Sequence, residues 1–360
     1  MWRNNICPYT ASWPNVFPDP SDVTRLVVAY QILDESQVHL SVLDRITLQI
    51  VDPHLDHVAT TSDFTHDYHV TKDMIDSRLF HFDQKMFLVY NILYKGGPPF
   101  FLAYSQVELT PQYTFRVLEN TTVKMRHEHN NNKHVRQEKN WGPFSYTPPR
   151  NVTDQDAPKP VLLFEYMVQP HRIIHAKMQN GHPVTKQLFK PDTRESKLNY
   201  TMFETTYCTQ ILQFPSDSVW NLTSIHGGSA PQYLEKQHKY LSFFHMKGKF
   251  HSSGLTTYNF GAHLFSADPP FAITHMSSEP IVADSFFKGN WAFKKADYIL
   301  FPMTFFIEEE STVVLSLAKN DKFSWVVHMN LVGLVSSLIE VPSKPCDQRT
   351  DQAHKYKANF

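Results

Sequence analysis

Two charged residues in a strand-like segment are the first that could do chemistry. Asp76 and Arg78 stand two residues apart in IDSRLF, residues 75–80. In an extended strand, side chains two residues apart project to the same side. We therefore predict that the pair lies together at the mouth of a pocket, where a carboxyl group can act as a general acid or base. The alternative is a structural ion pair at the edge of a sheet.

Three further groups of segments carry polar side chains or glycine-rich turns that could bind a ligand. They are EKNWGPF (138–144) with QPHR (169–172), HGGSAP (226–231) with YLSFFH (240–245) and YNFGAHL (258–264), and ILFPM (299–303) with LAKND (317–321). The Gly-Gly-Ser turn at 227–229 suits a close approach of backbone N–H groups to an anion. A plain hairpin turn is the alternative at that position.

Other patterns that could carry chemistry are weaker. The sequence has no GxGxxG, GxxxxGK, HExxH or GxSxG motif. His127, His129 and His134 lie in the polar segment 126–139 and could bind a metal ion through imidazole, although exposed histidines are the simpler interpretation. The DQD triplet at 154–156 spells a motif of metal-dependent nucleotide-sugar transferases, but it lies in a proline-rich loop. We predict no metal requirement.

The composition is that of a neutral, folded protein. Thirty-four Lys and Arg balance 35 Asp and Glu, and the net charge of −1 disfavours binding to a polyanion by bulk electrostatics. Aromatic residues make up 14% of the chain, enough apolar surface to stabilise a globular core. Gly is scarce at 11 and Pro is plentiful at 24, which favours strands over helices. Cys7, Cys208 and Cys346 form no disulfide framework.

Strand-like segments follow one another along most of the chain. They are rich in β-branched and aromatic residues and are separated by Pro, Asn, Asp, Ser or Gly. The predicted strands are Val23–Leu33, Val38–Val51, Arg78–Leu93, Phe100–Leu109, Pro160–Val168, Thr206–Phe214, Tyr240–Met246, Tyr258–Ser266, Tyr298–Glu308, Thr312–Leu317, Phe323–Met329 and Leu331–Val341. Helical periodicity is weak, and only Tyr233–His238 and the tail from Ser343 could hold a turn or two of helix. The sequence predicts an all-β fold.

More than a dozen strands in one chain must have their edges protected. Radial repetition of four-stranded blades leaves only short edges and creates a central polar pocket. Five blades use about 72 residues each, roughly four strands of the usual length, although no exact sequence repeat fixes that number. We predict a five-bladed β-propeller over residues 21–341, preceded by an N-terminal extension (1–20) and followed by a polar tail (342–360).

The sequence leaves the cellular compartment open. No segment near the N-terminus has the apolar stretch of a signal peptide, and the apolar runs are too short or too interrupted to cross a bilayer. Sequons for N-glycosylation at Asn120, Asn151, Asn199 and Asn221 would suit the secretory pathway. We expect a soluble protein, either cytoplasmic or in the lumen of that pathway.

In their order along the chain, the motifs resemble those of the five-bladed β-propeller enzymes that act on β-mannosides, the β-mannoside phosphorylases and β-mannosyltransferases. IDSRLF is similar to their EDPRLF motif, EKNWGPF to their EKNW-P-F segment, and HGGSAP with YLSFFH to their glycine-rich turn and strand ending in His. FGAHLFSADPPFAITHMSSEPI (260–281) is similar to their G-A-x-L-x-x-x-x-P run, and LAKND to their YG-x-x-D. The resemblance covers residues 75–325. It departs at Ile75 and Ser77, where the family has Glu and Pro, and at Leu317-Ala318, where it has Tyr-Gly.

The resemblance implies a role for each matched residue. Asp76 is the implied catalytic carboxyl, acting as general acid in phosphorolysis or as base toward an acceptor hydroxyl in transfer. The implied groups for a phosphate or nucleotide diphosphate are the side chains of Arg78, Lys139, His171 and His245 and the backbone of Gly227, Gly228 and Ser229, and those for sugar hydroxyls are Asn140 and Asp321. Trp141 either stacks on a sugar face or belongs to a blade core. A structural role is the alternative for each of these residues.

Among the family's reactions, the motifs favour transfer of a mannosyl-type sugar from a nucleotide sugar to a glycan acceptor. A glycoside hydrolase normally needs two carboxylates facing across the sugar, and the motifs offer Asp76 with only Asp321 beside it. A β-mannoside phosphorylase or a hydrolase is the first alternative. The second is a catalytically inactive propeller that binds glycans, because Ile75 and Ser77 depart from the family beside the acid. The expected partners are an oligosaccharide or glycan acceptor and a nucleotide sugar or phosphate, with no nucleic acid.

Overall fold

The structure is a computed structural model of the chain. It describes residues 3–4, 11–19, 22–32, 38–46, 57–59, 74–93, 100–109, 115–123, 140–149, 158–176, 178–179, 182–183, 200–205, 220–250, 256–283, 286, 298–320 and 323–342. Most of these residues lie in strands, so the all-β prediction is confirmed. None of the helices in these ranges is long and apolar enough to span a membrane.

The described residues form many short strands, one α-helix and one 3₁₀ turn. The strands are β1 (Arg3–Asn4), β2 (Ala11–Pro18), β3 (Arg25–Ile32), β4 (Val38–Asp44), β5 (His57–Ala59), β6 (Met74–Phe82), β7 (Lys85–Leu93), β8 (Phe100–Leu109), β9 (Phe115–Val123), β10 (Gly142–Tyr146), β11 (Val161–Met167), β12 (His171–Ala176), β13 (Met178–Gln179), β14 (His182–Pro183), β15 (Tyr200–Thr205), β16 (Trp220–Gly227), β17 (Gln232–Leu234), β18 (Lys239–Phe250), β19 (Thr256–Ser266), β20 (Ile273–Met276), β21 (Tyr298–Glu308), β22 (Thr312–Lys319), β23 (Phe323–Asn330) and β24 (Ile339–Glu340). The helix α1 spans Leu331–Ser337, and the 3₁₀ turn spans Glu235–Gln237.

Antiparallel meanders account for most of the pairing. Sheet 1 has the order β2-β3-β4-β5, sheet 2 the order β6-β7-β8-β9, and sheet 3 the order β10-β11-β12-β15. A ten-stranded sheet contains two further meanders, β16-β18-β19 (sheet 4) and β21-β22-β23-β1 (sheet 5). A short parallel bridge joins these two, at Thr257↔Tyr298 and Tyr258↔Ile299. In sheets 1 and 2, consecutive strands of the chain lie side by side. Sheet 3 instead pairs β12 with β15, sheet 4 pairs β16 with β18, and sheet 5 adds β1 beside β23.

Local sequence explains the tight turn between β6 and β7. In sheet 2, β6 pairs with β7 up to Phe82↔Lys85, so only Asp83 and Gln84 connect them. Both connecting residues have positive φ, 49° and 59°. A two-residue loop with positive φ at both positions matches the right-handed twist of the flanking strands. Asp tolerates that conformation well, which is why this Gly-poor chain can turn here without glycine.

Buried apolar clusters lie between neighbouring sheets. Each of the following pairs of sheets shares one cluster: sheets 1 and 2 (Phe17, Leu40, Leu88), sheets 2 and 3 (Phe80, Trp141, Phe164), sheets 3 and 4 (Phe144, Ile173, Phe265), sheets 4 and 5 (Phe243, Phe260, Phe305), and sheets 5 and 1 (Phe306, Val314, Val16). Both faces of a strand are therefore used, one toward each neighbouring sheet. This explains why the strand segments read as nearly continuous apolar runs.

The strand predicted at Leu331–Val341 was wrong, because the first part of this segment forms the helix α1. The side chain of Asn330 accepts a hydrogen bond from the Gly333 N–H at 2.7 Å and caps the helix N-terminus. Leu331, Leu334 and Leu338 pack into the core between sheets 4 and 5. Their spacing of three and four residues is the period of a helix, and the apolar composition concealed it.

Some predictions fall partly or wholly outside the described residues. Thr206–Phe214 and the tail beyond residue 342 are not covered. Within the predicted N-terminal extension, β1 pairs with β23 and β2 pairs with β3. The division into extension, propeller and tail stays a prediction, as do the blade number and its closure.

Candidate functional site

Asp76 occupies an irregular point of β6. The register between β6 and β7 shifts between Ile75 and Arg78, and Asp76 itself has φ 55°. Its side chain is buried, and Asn91 Nδ2 donates a hydrogen bond to Asp76 Oδ2 at 3.3 Å. The extended conformation assumed for Asp76 was therefore wrong. Non-glycine residues held at positive φ cost conformational energy, and such positions cluster at functional sites.

Arg78 joins Asp76 to other sheets. Its side chain is 1% exposed. Nε donates to the carbonyl oxygen of Gly228 at 3.0 Å, one terminal nitrogen donates to Asn140 Oδ1 at 3.3 Å, and the other to the backbone oxygen of Asp76 at 3.3 Å. The guanidinium also lies 6.0 Å from the centre of the Phe301 ring. We call Asp76, Arg78, Asn140, Gly228 and Phe301 the Arg78 group. It draws on β6, β21 and the segments beside β10 and β16.

The glycine-rich turn presents carbonyl oxygens to this group. Gly228 accepts from Arg78, and the Gly227 carbonyl lies 2.9 Å from His245 Nδ1, which donates to it. A Cβ on Gly228 would lie 2.6 Å from Pro302 Cγ and 2.7 Å from the Phe243 oxygen. Glycine is thus required here for close packing of β16 against β18 and β21. The Ser229 N–H, which we predicted to face an anion, donates to the Phe243 oxygen at 3.1 Å.

His245 adds an imidazole next to the Arg78 group. Its ring lies 4.5 Å from the Phe301 ring and stacks on His226 at 5.1 Å. Because Nδ1–H is used by the Gly227 carbonyl, a neutral His245 carries no proton on Nε2, which is then a base. The neighbourhood therefore combines a carboxylate, a guanidinium, an amide and an imidazole. These groups can bind an anion and move a proton.

Trp141 lies in the core between sheets 2 and 3. It is 4% exposed, and it makes edge contacts with Tyr166 at 4.9 Å and Phe164 at 6.0 Å. This is the blade-core placement that the sequence left open as the alternative to sugar stacking. Lys139, Asp321, the histidines of 126–139 and the triplet 154–156 lie outside the described residues.

His171 belongs to a second polar cluster, between sheets 3 and 4. Its Nε2 donates to Glu165 Oε1 at 3.0 Å, and His263 Nε2 donates to the same oxygen at 2.6 Å. Ser242 Oγ donates to Glu165 Oε2 at 2.7 Å. Both histidine side chains and the Glu165 side chain have 0% exposure. We call Glu165, His171, His263 and Ser242 the Glu165 cluster.

Electrostatics fix the charge of this cluster. Burial raises the pKa of Glu165, but its electrostatic interactions and hydrogen bonds with His263 and His171 outweigh burial, and the pKa falls to about 2. Burial lowers the pKa of His171, more than its bond to Glu165 raises it. Glu165 is therefore an anion at neutral pH, and His171 is neutral there. A neutral His171 is poorly suited to the cationic role implied by the resemblance.

No sequence pattern singled out Asn91, Glu165, Ser242 or His263 as site residues. Glu165 could have been noticed, because an acid between Phe164 and Tyr166 in an apolar strand must find a partner when it is buried. His263 stands in a similar apolar segment. Which partner each residue finds depends on how two sheets pack, and no local spacing encodes that.

Two surface grooves lie away from the Arg78 group. One of about 360 Å³ is walled by Tyr146, Tyr233 and Tyr240, with Asp268 and His238 at its edge. A larger groove of about 820 Å³ runs between sheets 1 and 5, past the ion pair of Arg45 with Glu308. Neither is lined by Asp76 or Arg78.

Comparison with known proteins places the fold. No family model and no curated protein matches the sequence. The structure is similar to that of a candidate glycoside hydrolase from Bacteroides ovatus, with 12% identity, 91% of this chain and 88% of that chain covered, and a TM-score of 0.56. It is also similar to a β-1,2-mannobiose phosphorylase from Listeria innocua (12% identity, 91% of each chain, TM-score 0.49) and to a mannose phosphorylase from Leishmania mexicana (11%, 93% and 87%, TM-score 0.48). The likeness to the Bacteroides ovatus protein confirms the predicted resemblance to glycosidase-like proteins at the level of the fold alone.

Proposed function

We propose that this protein is a carbohydrate-active enzyme whose chemistry takes place at the Arg78 group. The observation that carries the proposal is the convergence of Asp76, Asn140 and Gly228 on one buried arginine. These residues come from three of the motifs that resemble the β-mannoside enzymes. Independent structural roles would give no reason for the three motifs to meet at one point.

We further propose that sheets 1 to 5 are the blades of a closed five-bladed propeller. Each sheet shares a buried core with the next, and sheet 5 shares one with sheet 1. The Val16 N–H in β2 donates to Thr304 Oγ1 in β21 at 3.0 Å, which links the first and last sheets near their first strands. First strands of propeller blades line the central axis. The Arg78 group would then lie near that axis.

The reaction we propose is transfer of a mannosyl-type sugar from a nucleotide sugar to a glycan acceptor. Asp76 acts as the base that accepts the proton of the acceptor hydroxyl. Arg78, together with His245 in its protonated form, stabilises the negative charge that develops on the diphosphate leaving group. Asn140 and Asp321 hold sugar hydroxyls, and Lys139 assists at the diphosphate.

The described contacts favour this scheme over hydrolysis. A glycoside hydrolase uses two carboxyl groups about 5–10 Å apart across the sugar. Asp76 supplies the one carboxylate among the contacts described for the Arg78 group. Glu165, another buried acid, already accepts hydrogen bonds from two histidines and a serine. One carboxylate with cationic neighbours suits a donor whose leaving group is a phosphate.

The test supplies the purified protein with GDP-mannose or mannose 1-phosphate as separate donors, over a panel of mannoside acceptors. Product formed only from GDP-mannose supports the transferase. Product formed only from mannose 1-phosphate assigns a phosphorylase running in reverse, and release of free mannose from mannosides alone assigns a hydrolase. Binding of a mannoside with no turnover in any arm assigns the inactive glycan-binding propeller and overturns the enzyme proposal.

A further inference from the structure

We propose that the Glu165 cluster binds a divalent transition-metal ion such as Zn²⁺, which ties sheet 3 to sheet 4. The ligands are Glu165 Oε1, His171 Nε2 and His263 Nε2. The site is distinct from the Arg78 group, and the ion has a structural role. The proposal does not depend on the function proposed above.

The fold brings three donor atoms from three strands close to one point. Glu165 lies on β11, His171 on β12 and His263 on β19, and their donor atoms are all within 4.8 Å of one another. In a tetrahedral zinc site with bonds of about 2.0–2.1 Å, neighbouring donors are about 3.3–3.4 Å apart. Glu165 Oε1 now lies 3.0 Å from His171 Nε2 and 2.6 Å from His263 Nε2. Outward movements of less than about 1 Å create the space for the ion.

The chemistry of the donors suits such an ion. Two imidazoles and one carboxylate are common ligands of Zn²⁺ and of other first-row metals. The second carboxylate oxygen is already held by Ser242 Oγ at 2.7 Å, the kind of outer hydrogen bond that orients a ligating carboxylate. Three protein donors leave one position of a tetrahedral shell for a small ligand such as water.

Burial gives a second argument. The side chains of Glu165, His171 and His263 all have 0% exposure. A buried carboxylate must be paired or must coordinate a metal ion. A histidine that binds the ion through Nε2 carries its proton on Nδ1.

The experiment begins with full-length protein dialysed until it is free of metal, to which Co²⁺ or Zn²⁺ is then added. We expect about one ion per chain, the visible absorption of tetrahedral Co²⁺, and a higher thermal midpoint with Zn²⁺. His263→Gln should abolish all three. The matched control carries His127→Gln, His129→Gln and His134→Gln in the polar segment, and it should behave as the wild type.

The outcomes are distinct. Absence of tightly held ion and of the Co²⁺ absorption in the wild type overturns the proposal, as does normal binding by His263→Gln or loss of binding in the loop control. If His263→Gln does not fold, zinc-edge X-ray absorption on the wild type decides. Two imidazoles and a carboxylate around the ion support the site, and any other ligand set overturns it. None of these measurements uses enzymatic activity, so their failure leaves the proposed function standing.

Discussion

The Nε of Arg78 donates a hydrogen bond to the carbonyl oxygen of Gly228 at 3.0 Å, although 150 residues separate the two in sequence. This bond joins the IDSRLF motif of sheet 2 to the glycine-rich turn of sheet 4. It requires a guanidinium, because Nε and the two terminal nitrogens must reach three acceptors in different directions. A residue proposed to bind substrate therefore also holds the sheets together.

Arg78→Lys is expected to lower the free energy of unfolding by about 3 kcal/mol, because buried acceptors lose charged donors that one ammonium cannot replace. Urea denaturation measures the change. Arg45→Lys is the matched control, since the Arg45 guanidinium is likewise held by hydrogen bonds, here to Glu308, but is partly exposed. That change should cost less than about 1 kcal/mol. Equal losses in the two variants would show that Arg78 has no special bridging role.

Asp76→Asn is expected to reduce sugar transfer by about 10²–10⁴-fold, the usual contribution of a general base. The amide keeps the size of the side chain and can still meet Asn91, so the thermal midpoint should change little. Initial rates with GDP-mannose, alongside far-UV circular dichroism, measure the two effects. Undiminished turnover by a folded Asp76→Asn protein would remove Asp76 from the mechanism.

The fold was largely predictable from local composition, and its exceptions have physical causes. β-branched and aromatic segments between turn residues predicted β7, β8, β18, β19, β21 and β22, because strand preference is a local property. Leu331–Val341 has the same composition, but the side-chain cap from Asn330 and the helical spacing of its leucines make its first part a helix.

The candidate site was predictable in part. Colinear motifs identified Asp76, Arg78, Asn140, Gly228 and His245, and the structure brings all five into one neighbourhood. The conformation of Asp76 was not predictable, because a bulge depends on the register with the partner strand. The bond of His263 to Glu165 spans 98 residues and two sheets. Tertiary packing alone creates it.

The free energy of unfolding should fall at acidic pH, because the folded protein resists protonation of His81. Burial lowers the pKa of His81 below its usual value of 6.5, and its Nε2 is buried with no hydrogen-bond partner in the described part of the chain. The unfolded chain then binds a proton at higher pH than the folded protein does. The stabilising contribution is complete above pH 6.5 and is lost as the pH falls below it, by at most about 1.4 kcal/mol per pH unit.

The measurement is urea denaturation at several pH values between neutral and mildly acidic, for the wild type and for His81→Leu. Leucine fills the same partly buried place beside Phe17, whose ring centre lies 4.4 Å from that of His81, and it has no proton to bind. The pH dependence should therefore be shallower in the variant. Parallel curves for the two proteins would exclude His81 as the titrating group.

Gly228→Ala should destabilise the protein by about 1–3 kcal/mol, because the added methyl group would meet Pro302 Cγ at 2.6 Å and the Phe243 oxygen at 2.7 Å. Backbone and ring atoms on both sides cannot yield without moving β16 away from β18 and β21, and that movement would lengthen the bond from Arg78. Gly333→Ala in α1 is the control, since its nearest neighbour is a side-chain oxygen at 3.3 Å. Alanine favours a helix over glycine by up to about 1 kcal/mol, so the Gly333→Ala protein should be as stable as the wild type or slightly more stable. Urea denaturation compares the two variants, and a Gly228→Ala protein as stable as the wild type would mean that the turn does not hold the sheets in close contact.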